Sequence, residues 1–254
     1  MLPIRLALAA VTIACTGAAL ADEATIRKNL AERLPTFPKI DELAKTPIPG
    51  VWEVRIGTEI LYTDDNGAYL IEGQIIDLKS KANLTEERTA KLTAIDFAAL
   101  PLKDAVVWKQ GSGARKLVVF ADPNCGYCKR FERDLNNVKD VTVYTFLYPI
   151  LGPDSADKSR SIWCSKEPTK TWRAWMLDGT TPQRAPDACD TGVLDRNLAL
   201  GRKHKVNGTP ALVFESGRRV PGAMSAAEVE KLLVAAKDAP PAEAGRAKPD
   251  TAAR

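Results

Sequence analysis

The stretch that most constrains this chain joins an apolar run to two closely spaced cysteines. The run Lys116–Val119 is typical of a buried strand, and Arg130–Leu135 has the composition of a helix. Cys125 and Cys128 lie between them, within Phe120–Lys129, at a predicted strand-to-helix junction. A helix N-terminus offers unpaired N–H groups and a partial positive charge, and both favour a thiolate. The stretch therefore predicts thiol–disulfide chemistry at these two cysteines.

The position of each cysteine on the predicted helix assigns it a role. Cys125 is at the helix start, so we expect an exposed thiolate that acts as the nucleophile. Cys128 is one turn further on the same face, where we expect a more buried, resolving thiol. Gly126 frees the backbone at the start of the helix, and Tyr127 can shield the site. A lowered pKa at Cys125 stabilises the reduced form and makes the pair oxidising for its class.

Composition and charge exclude other classes of protein. The 254 residues suffice for one large or two modest domains. The formal net charge is only +4, and basic residues alternate with acidic ones along most segments, so we expect no nucleic-acid partner. The sequence shows no phosphate-binding loop, nucleotide fingerprint or metal motif. We therefore expect no metal and no cofactor.

Residues 1–21 have the features of a secretory signal peptide that is cleaved from the mature protein. Arg5 supplies a positive charge, an apolar run extends from Leu6 to Ala14, and Ala19-Leu20-Ala21 is a small-x-small cleavage site. We therefore expect export to an oxidising compartment. A lipoprotein anchor at Cys15 is the alternative, although Thr12 stands where such a signal usually has leucine.

Four of the five cysteines follow this segment. An even number in an exported protein favours two disulfides, and four cysteines permit three pairings. Because a C-x-x-C pair is too close to crosslink a fold usefully, we expect the pairs Cys125–Cys128 and Cys164–Cys189. The second pair would stabilise the fold by roughly 3–4 kcal/mol. A structural bond between Cys125 and Cys128 and a four-cysteine zinc site are alternatives; structural zinc usually takes two close ligand pairs.

The mature chain divides into two predicted halves. Residues 22–82 predict a small α+β unit, with an initial helix, two strands from Val51 and a hairpin at Asn66-Gly67. About 60 residues make a marginal core, so we expect this unit to dimerise through an exposed strand edge. Residues 83–101 predict a helix that links the halves; the alternative is that it packs on the second one.

The second half predicts an α/β domain over residues 102–237, with a βαβ unit around the C-x-x-C helix. Residues 154–180 are predicted to be helical. Residues 238–254 contain mainly alanine, proline and charge, which predicts a disordered tail.

Other residues carry weaker signals. Thr209-Pro210 precedes an apolar strand, and for an X-Pro bond the sequence alone favours the trans form. His204 is the only histidine, and its basic neighbours favour a solvated helix end rather than a Cys–His enzyme. The tryptophans that we expect in the core are Trp163, Trp172 and Trp175.

Together these motifs resemble the DsbC/DsbG family of periplasmic thioredoxin-like proteins. Gly126 between the cysteines favours the DsbC type, because the DsbG type usually has proline there. The similarity extends over nearly the whole mature chain. The residues that carry it are Phe120–Lys129, Gly208–Ala211, Val220–Gly222, Gly67–Leu78 and Asn83–Thr85.

The resemblance implies a cystatin-like N-terminal dimerisation domain, a linker helix and a thioredoxin-like fold with a helical insertion. It implies a V-shaped homodimer whose cleft holds misfolded, disulfide-containing exported proteins, and a DsbD-type membrane reductase that restores the dithiol. Thr209 would precede a cis Pro210 that lies against the active disulfide and helps to bind the substrate backbone. Cys164 and Cys189 fall where the family has its structural disulfide. The long tail after Lys237 departs from the family pattern.

The expected function is that of a periplasmic disulfide isomerase and reductase, in which Cys125 attacks wrong disulfides and Cys128 resolves the mixed disulfide. One alternative is a DsbA-like or DsbG-like thiol oxidoreductase. The N-terminal unit argues against a DsbA-like oxidase, because a monomeric oxidase needs no such unit. Another alternative is a chaperone-type binding protein in which the cysteines are secondary.

Overall fold

The structure is a computed structural model, and it describes residues 23–238. The predicted signal peptide over residues 1–21 and residues 239–254 of the predicted tail lie outside the described residues. The described residues form two compact units, divided in sequence between Thr85 and Glu86. Within residues 23–238, no helix has both the length and the apolar character needed to cross a bilayer.

The first unit combines a helix with a four-stranded antiparallel sheet whose strands pair in chain order. Its core contains Ile26 and Leu30 of the helix together with Trp52, Val54 and Leu61 of the sheet. The predicted helix and the first two predicted strands are confirmed. In chain order the elements are α1 Glu23–Arg33, β1 Glu42–Lys45, β2 Val51–Ile56, β3 Glu59–Asp64, β4 Leu70–Ile71, and the separate pair β5 Ile76–Asp77 and β6 Ala82–Asn83.

The sequence pattern does not predict β1. This strand lies in a proline-interrupted region and has one buried apolar residue, Leu43. It forms through pairing with β2, where Leu43 lies opposite Val54 and Lys45 opposite Trp52. Its strand character therefore comes from a tertiary partner rather than from a local alternation of apolar residues.

The second unit is built on a five-stranded mixed sheet. From the helix that spans the unit boundary onward, the elements are α2 Leu84–Leu92, β7 Val106–Gln110, β8 Arg115–Ala121, α3 Gly126–Leu135, β9 Val141–Leu147, α4 Pro153–Trp163, α5 Pro168–Arg173, α6 Gly192–Lys203, β10 Ala211–Phe214, β11 Arg219–Pro221 and α7 Ala226–Asp238. The strands of the sheet lie in the order β11-β10-β8-β9-β7. The parallel strands β8 and β9 and the helix α3 between them form the predicted βαβ unit. A π-helical turn, Ala174–Asp178, follows α5.

The strand directions bring three connections to one edge of this sheet. At the C-terminal ends of the parallel strands β8 and β9, Ala121 lies opposite Leu147. β10 is antiparallel to β8, and its first residue, Ala211, pairs with Phe120. The segments after β8, after β9 and before β10 therefore share one edge, which we call the redox edge.

The predicted helix over residues 83–101 is too long. α2 ends at Leu92 and has no buried residue, and a short 3₁₀ helix capped by Asp96 follows. Ile95 and Leu100 are buried in the core of the second unit. Because these residues leave the helix to reach that core, only the part of the predicted linker before them is a continuous helix.

The predicted helical segment 154–180 is also interrupted. α4 ends at Trp163, with Cys164 as its C-cap, and α5 begins at Pro168. Proline suits the first turn of a helix but cannot continue one, because it lacks an N–H group. The segment is therefore two helices, and Cys164 lies at the break between them.

Candidate active site

Cys125 is the N-cap residue of α3. Its Sγ atom accepts a hydrogen bond from the backbone N–H of Cys128 at 3.3 Å. This bond satisfies one of the donors that a helix N-terminus leaves unpaired. The residue is only 6% exposed, so the prediction of an exposed thiolate is wrong. The carbonyl oxygen of Thr209 covers the sulfur, 3.2 Å away.

The pKa of Cys125 falls from 9.0 to about 5. The largest cause is the hydrogen bond with the side chain of Cys128, and the backbone N–H groups of Cys128 and Tyr127 add to it, while burial opposes the shift. Cys125 is therefore mainly a thiolate at neutral pH, the form that attacks disulfides.

Cys128 has the opposite character. It is 2% exposed, and burial raises the pKa of its thiol far above the ordinary range, with the neighbouring Cys125 adding to the shift. Both cysteines are free in the structure. The pair therefore consists of one thiolate and one protonated thiol at neutral pH.

Thr209 and Pro210 lie beside this pair at the redox edge. The bond between them is cis, as the family resemblance implies and contrary to what the sequence alone favours. The Thr209 carbonyl accepts a hydrogen bond from the Cys125 thiol when that thiol is protonated. The structure thus brings the predicted support residues and the cysteines together.

The residues between the cysteines differ in their surroundings. Gly126 begins α3 with open space where a side chain would lie, so no close contact requires glycine there. Tyr127 is 69% exposed and lines a groove of about 460 Å³ together with Arg130, Thr209 and Met224. Thr209 thus both lines this groove and contacts the Cys125 sulfur through its carbonyl.

Asp122 is a site residue that the sequence analysis does not single out. It is fully buried, and its carboxylate accepts hydrogen bonds from the N–H groups of Asn124 at 2.8 Å, Ile150 at 2.8 Å and Leu151 at 3.0 Å. The hydroxyl of Ser155 donates a fourth at 2.7 Å. Its signal in the sequence is an acidic residue directly after a buried strand, where a polar side chain needs several hydrogen-bond partners.

Trp175 also contacts the site, beyond its predicted place in the core. Its Nε1–H donates to the carbonyl of Pro123 at 2.6 Å. The ammonium groups of Lys129 and Lys158 lie 4.0 and 5.0 Å from the ring centroid. The indole thus holds the segment before Cys125 and keeps two cations close to it. Of the other predicted core tryptophans, Trp172 is fully buried and Trp163 is half-buried.

Glu132 is a buried acid on the same helix, one turn after Cys128. It is 3% exposed, and burial raises its pKa to about 7. Arg173 opposes this shift through an ion pair at 3.2 Å.

Cys164 and Cys189 form a disulfide, which is one of the two pairs predicted from the cysteine spacing. The bond closes a sequence separation of 25 residues, between the end of α4 and the segment before α6. Because these two sulfurs are bonded to each other, they are not zinc ligands in this structure. Within residues 23–238, no group of three or more His, Cys, Asp or Glu side chains is arranged to hold a metal ion.

His204 caps the C-terminus of α6 and is half-buried rather than solvated. A guanidinium N–H of Arg219 donates to its backbone carbonyl. Burial lowers the pKa of the imidazole.

A thiolate beside a buried, protonated thiol can attack a disulfide and then be released by its neighbour. This chemistry, at the end of the central strand of such a sheet, defines the class of thioredoxin-like thiol:disulfide interchange proteins.

Comparisons with known proteins agree with this class. Residues 102–237 match the thioredoxin-like domain family, and residues 17–86 match the N-terminal domain of disulfide bond isomerase proteins. The chain is 46% identical over 208 residues to a probable thiol:disulfide interchange protein DsbC of Bordetella pertussis, covering 82% of this chain and 73% of that protein. It is 31% identical over 227 residues to the thiol:disulfide interchange protein DsbC of Escherichia coli, covering 87% and 91%.

A solved structure is similar to part of the chain. The crystal structure of a disulfide interchange protein from Neisseria gonorrhoeae superposes with a TM-score of 0.51 at 35% identity, covering 54% of this chain and 99% of that one. The chain therefore belongs to the DsbC family of thiol:disulfide interchange proteins. The predicted fold class is confirmed: a DsbC-type N-terminal domain precedes a thioredoxin-like domain, and the protein is an enzyme of thiol:disulfide interchange.

Proposed function

We propose that this protein is a periplasmic disulfide isomerase and reductase that rearranges incorrect disulfides in other exported proteins. The observation that carries this proposal is the asymmetry of the cysteine pair: the pKa of Cys125 is about 5, whereas that of Cys128 is raised. A stable thiolate favours a resting dithiol, which is the form in which an isomerase begins its cycle.

The proposed reaction begins with attack of the Cys125 thiolate on one sulfur of a substrate disulfide. A mixed disulfide forms, and the other substrate sulfur leaves as a thiolate. A different substrate thiolate then attacks the mixed disulfide, so that a new substrate disulfide forms and Cys125 returns as a thiolate. This sequence of steps transfers no net electrons and requires no organic cofactor.

The second proposed outcome is reduction. When no substrate thiol attacks, Cys128 loses its proton to solvent and attacks Cys125, which releases the substrate sulfur as a thiolate. The substrate has then gained two electrons, and Cys125 and Cys128 are joined in a disulfide. A membrane reductase of the DsbD type restores the dithiol in this proposal.

Two structural features support the proposed compartment and assembly. The Cys164–Cys189 disulfide suits an oxidising compartment, as does the predicted signal peptide over residues 1–21. In the first unit, β4 is an edge strand, and an unpaired apolar edge favours a second copy of the chain. The exposed large apolar residues on this strand and close to it in the sequence are Tyr69, Leu70, Ile71, Ile76 and Leu78.

We therefore propose a homodimer formed by residues 22–82, with residues 83–101 as the link and residues 102–237 as the catalytic domain. Sedimentation of the full chain tests the assembly: wild type should be a dimer, and Ile71→Asp should shift it to a monomer. A monomeric wild type would contradict this part of the proposal. Cell fractionation tests the compartment.

Reactivation of scrambled ribonuclease tests the function itself. We expect the wild type to reactivate scrambled ribonuclease and the Cys125→Ser variant to fail to do so. Val234→Ser, at an exposed apolar site on α7, is the control and should reactivate it as the wild type does. Reactivation by Cys125→Ser would contradict the isomerase. If Cys125→Ser still suppresses aggregation, a separate chaperone activity is present. Trapping the thiols in cells separates a reduced isomerase from a DsbA-like oxidase, whose pair would be a disulfide.

A further inference from the structure

The redox edge has a second side that the proposed function does not use. Thr209 precedes β10, whereas Ile150 and Leu151 follow β9. In the sheet, β10 and β9 are the two neighbours of β8, on opposite sides of it. The loop after β8, which bears Cys125, therefore lies between Thr209 and the Ile150–Leu151 segment.

Exposed apolar side chains are concentrated at this edge. In the part of the second unit that the structure describes, five large apolar side chains are exposed, and three of them are Tyr127, Ile150 and Leu151. Leu151 is 56% exposed and Ile150 is 37% exposed. Exposed apolar surface that clusters near a reactive group indicates a binding surface.

The Ile150–Leu151 segment is held directly to the redox loop. One oxygen of the Asp122 carboxylate accepts from Asn124 N–H, and the other accepts from the N–H groups of both Ile150 and Leu151. A single buried carboxylate thus joins the two loops. Because the segment's backbone donors are already bonded, binding a ligand there costs little ordering of the loop.

The chemistry at Cys125 determines what reaches this surface. In a mixed disulfide the Cα atoms of the two cysteines are within about 7 Å, and neighbouring Cα atoms of a chain are about 3.8 Å apart. The residues that flank a substrate cysteine therefore lie within about 11 Å of the Cα atom of Cys125, so they contact the surface around it. Cysteine is among the residues most often buried, so in a misfolded protein its neighbours are frequently apolar core residues.

We propose that Ile150 and Leu151 form a subsite for apolar side chains that flank the disulfide-bonded cysteine of an unfolded substrate. This inference rests on the proposed function, in which such chains are the substrates. The subsite selects cysteines that belong in a hydrophobic core and disfavours disulfides surrounded by polar residues.

Single-turnover reduction of two peptides tests the subsite without requiring isomerisation. Each peptide carries one cysteine joined to glutathione, flanked by leucines in one peptide and by serines in the other. Reduced wild type should react about tenfold faster, by kcat/KM, with the leucine peptide. Ile150→Ser combined with Leu151→Ser should lose this preference and still react normally with the serine peptide.

Matched variants control for other effects. Val234→Ser removes an equally exposed apolar side chain from α7 and should keep the preference. Leu151→Met should also keep it, because methionine preserves the apolar surface. Thermal unfolding of every variant checks that it is folded.

Three results would overturn the inference: equal rates of wild type with both peptides, a preference that survives in the double serine variant, or an equal loss toward both peptides in that variant. The last result would mean that the segment acts on Cys125 rather than on the substrate. A wild type that shows the peptide preference but fails to reactivate scrambled ribonuclease would support the subsite and contradict only the isomerase function.

Discussion

Cys125 and Cys128 are almost fully buried and free, whereas Cys164 and Cys189 are half-buried and joined to each other. The more hidden pair is therefore the one that we propose to be reactive. The difference lies in what surrounds each sulfur. Cys125 caps a helix and is bonded to N–H donors that stabilise a thiolate, whereas Cys164 and Cys189 lie at a helix end and in a loop and share a covalent bond.

The two cysteine pairs also differ in the number of residues between their members. Cys125 and Cys128 are one helical turn apart, so a bond between them closes almost no loop. The bond between Cys164 and Cys189 spans 25 residues and restricts the unfolded chain far more. The first pair therefore suits electron transfer and the second suits stabilisation.

The largest expected effect comes from Cys125→Ser. Serine cannot form a disulfide, so the reduction of glutathione disulfide by the protein should fall by at least about a thousandfold. The rate is measured during turnover with an added reductant. The free energy of unfolding of the variant should change little. Activity within tenfold of wild type would show that Cys125 is not the nucleophile and would remove the contrast between the pairs.

Cys164→Ser combined with Cys189→Ser should act on stability instead. Loss of the crosslink should lower the free energy of unfolding by about 3 kcal/mol, measured by urea denaturation. The alkylation rate of Cys125 in the folded variant should equal that of wild type. A changed alkylation rate with unchanged stability would mean that this pair also tunes the active site.

Glu132→Gln should reveal the cost of a buried charge on the active-site helix. Burial raises the pKa of Glu132 from 4.5 to about 7, so the folded protein holds this proton more tightly than the unfolded chain. The resulting stabilisation is complete below pH 4.5 and is lost as the pH rises through 7. From pH 4.5 to 7, wild type should therefore lose about 3 kcal/mol relative to Glu132→Gln. Parallel stability curves for the two proteins would contradict the raised pKa.

The smallest expected effect is on the pH dependence of Cys125. Because only the thiolate reacts, a pKa of about 5 means that alkylation by iodoacetamide is nearly constant above pH 6. The rate should fall about tenfold between pH 7 and pH 4. A rate that continued to rise up to pH 8 would show that the thiol is not activated by its helix position. Denatured protein provides the control, with an ordinary thiol profile.

The proposed redox site has a strong signal in the sequence because part of that signal is local. An apolar strand, a C-x-x-C pair and a helix follow one another directly, whereas the place of Thr209-Pro210 beside the cysteines is implied only by the family resemblance. Features that depend on distant partners are missed. β1 exists through its pairing with β2, and the burial of Cys125 comes in part from the Thr209 carbonyl, 84 residues away.

Asp122 illustrates the same limit within the site. Its donors come from three segments: the redox loop, the segment after β9 and α4. No spacing in the sequence predicts that they converge. The end of α2 is similar, because it is the burial of Ile95 in the second core that ends the predicted helix early. Pro168, by contrast, is a local signal for a helix start that the prediction of one helical segment over residues 154–180 overlooks.

The disulfide pattern has a consequence for the maturation of the chain. Four cysteines follow residue 22. Along the sequence, the redox partner of the first cysteine is the second one, and the third pairs with the fourth. A polypeptide that emerges N-terminus first, and whose thiols are oxidised in order of appearance, reaches this arrangement without a wrong intermediate. A chain proposed to correct the disulfides of other proteins can therefore acquire its own disulfides through oxidation of its cysteines in the order in which they appear.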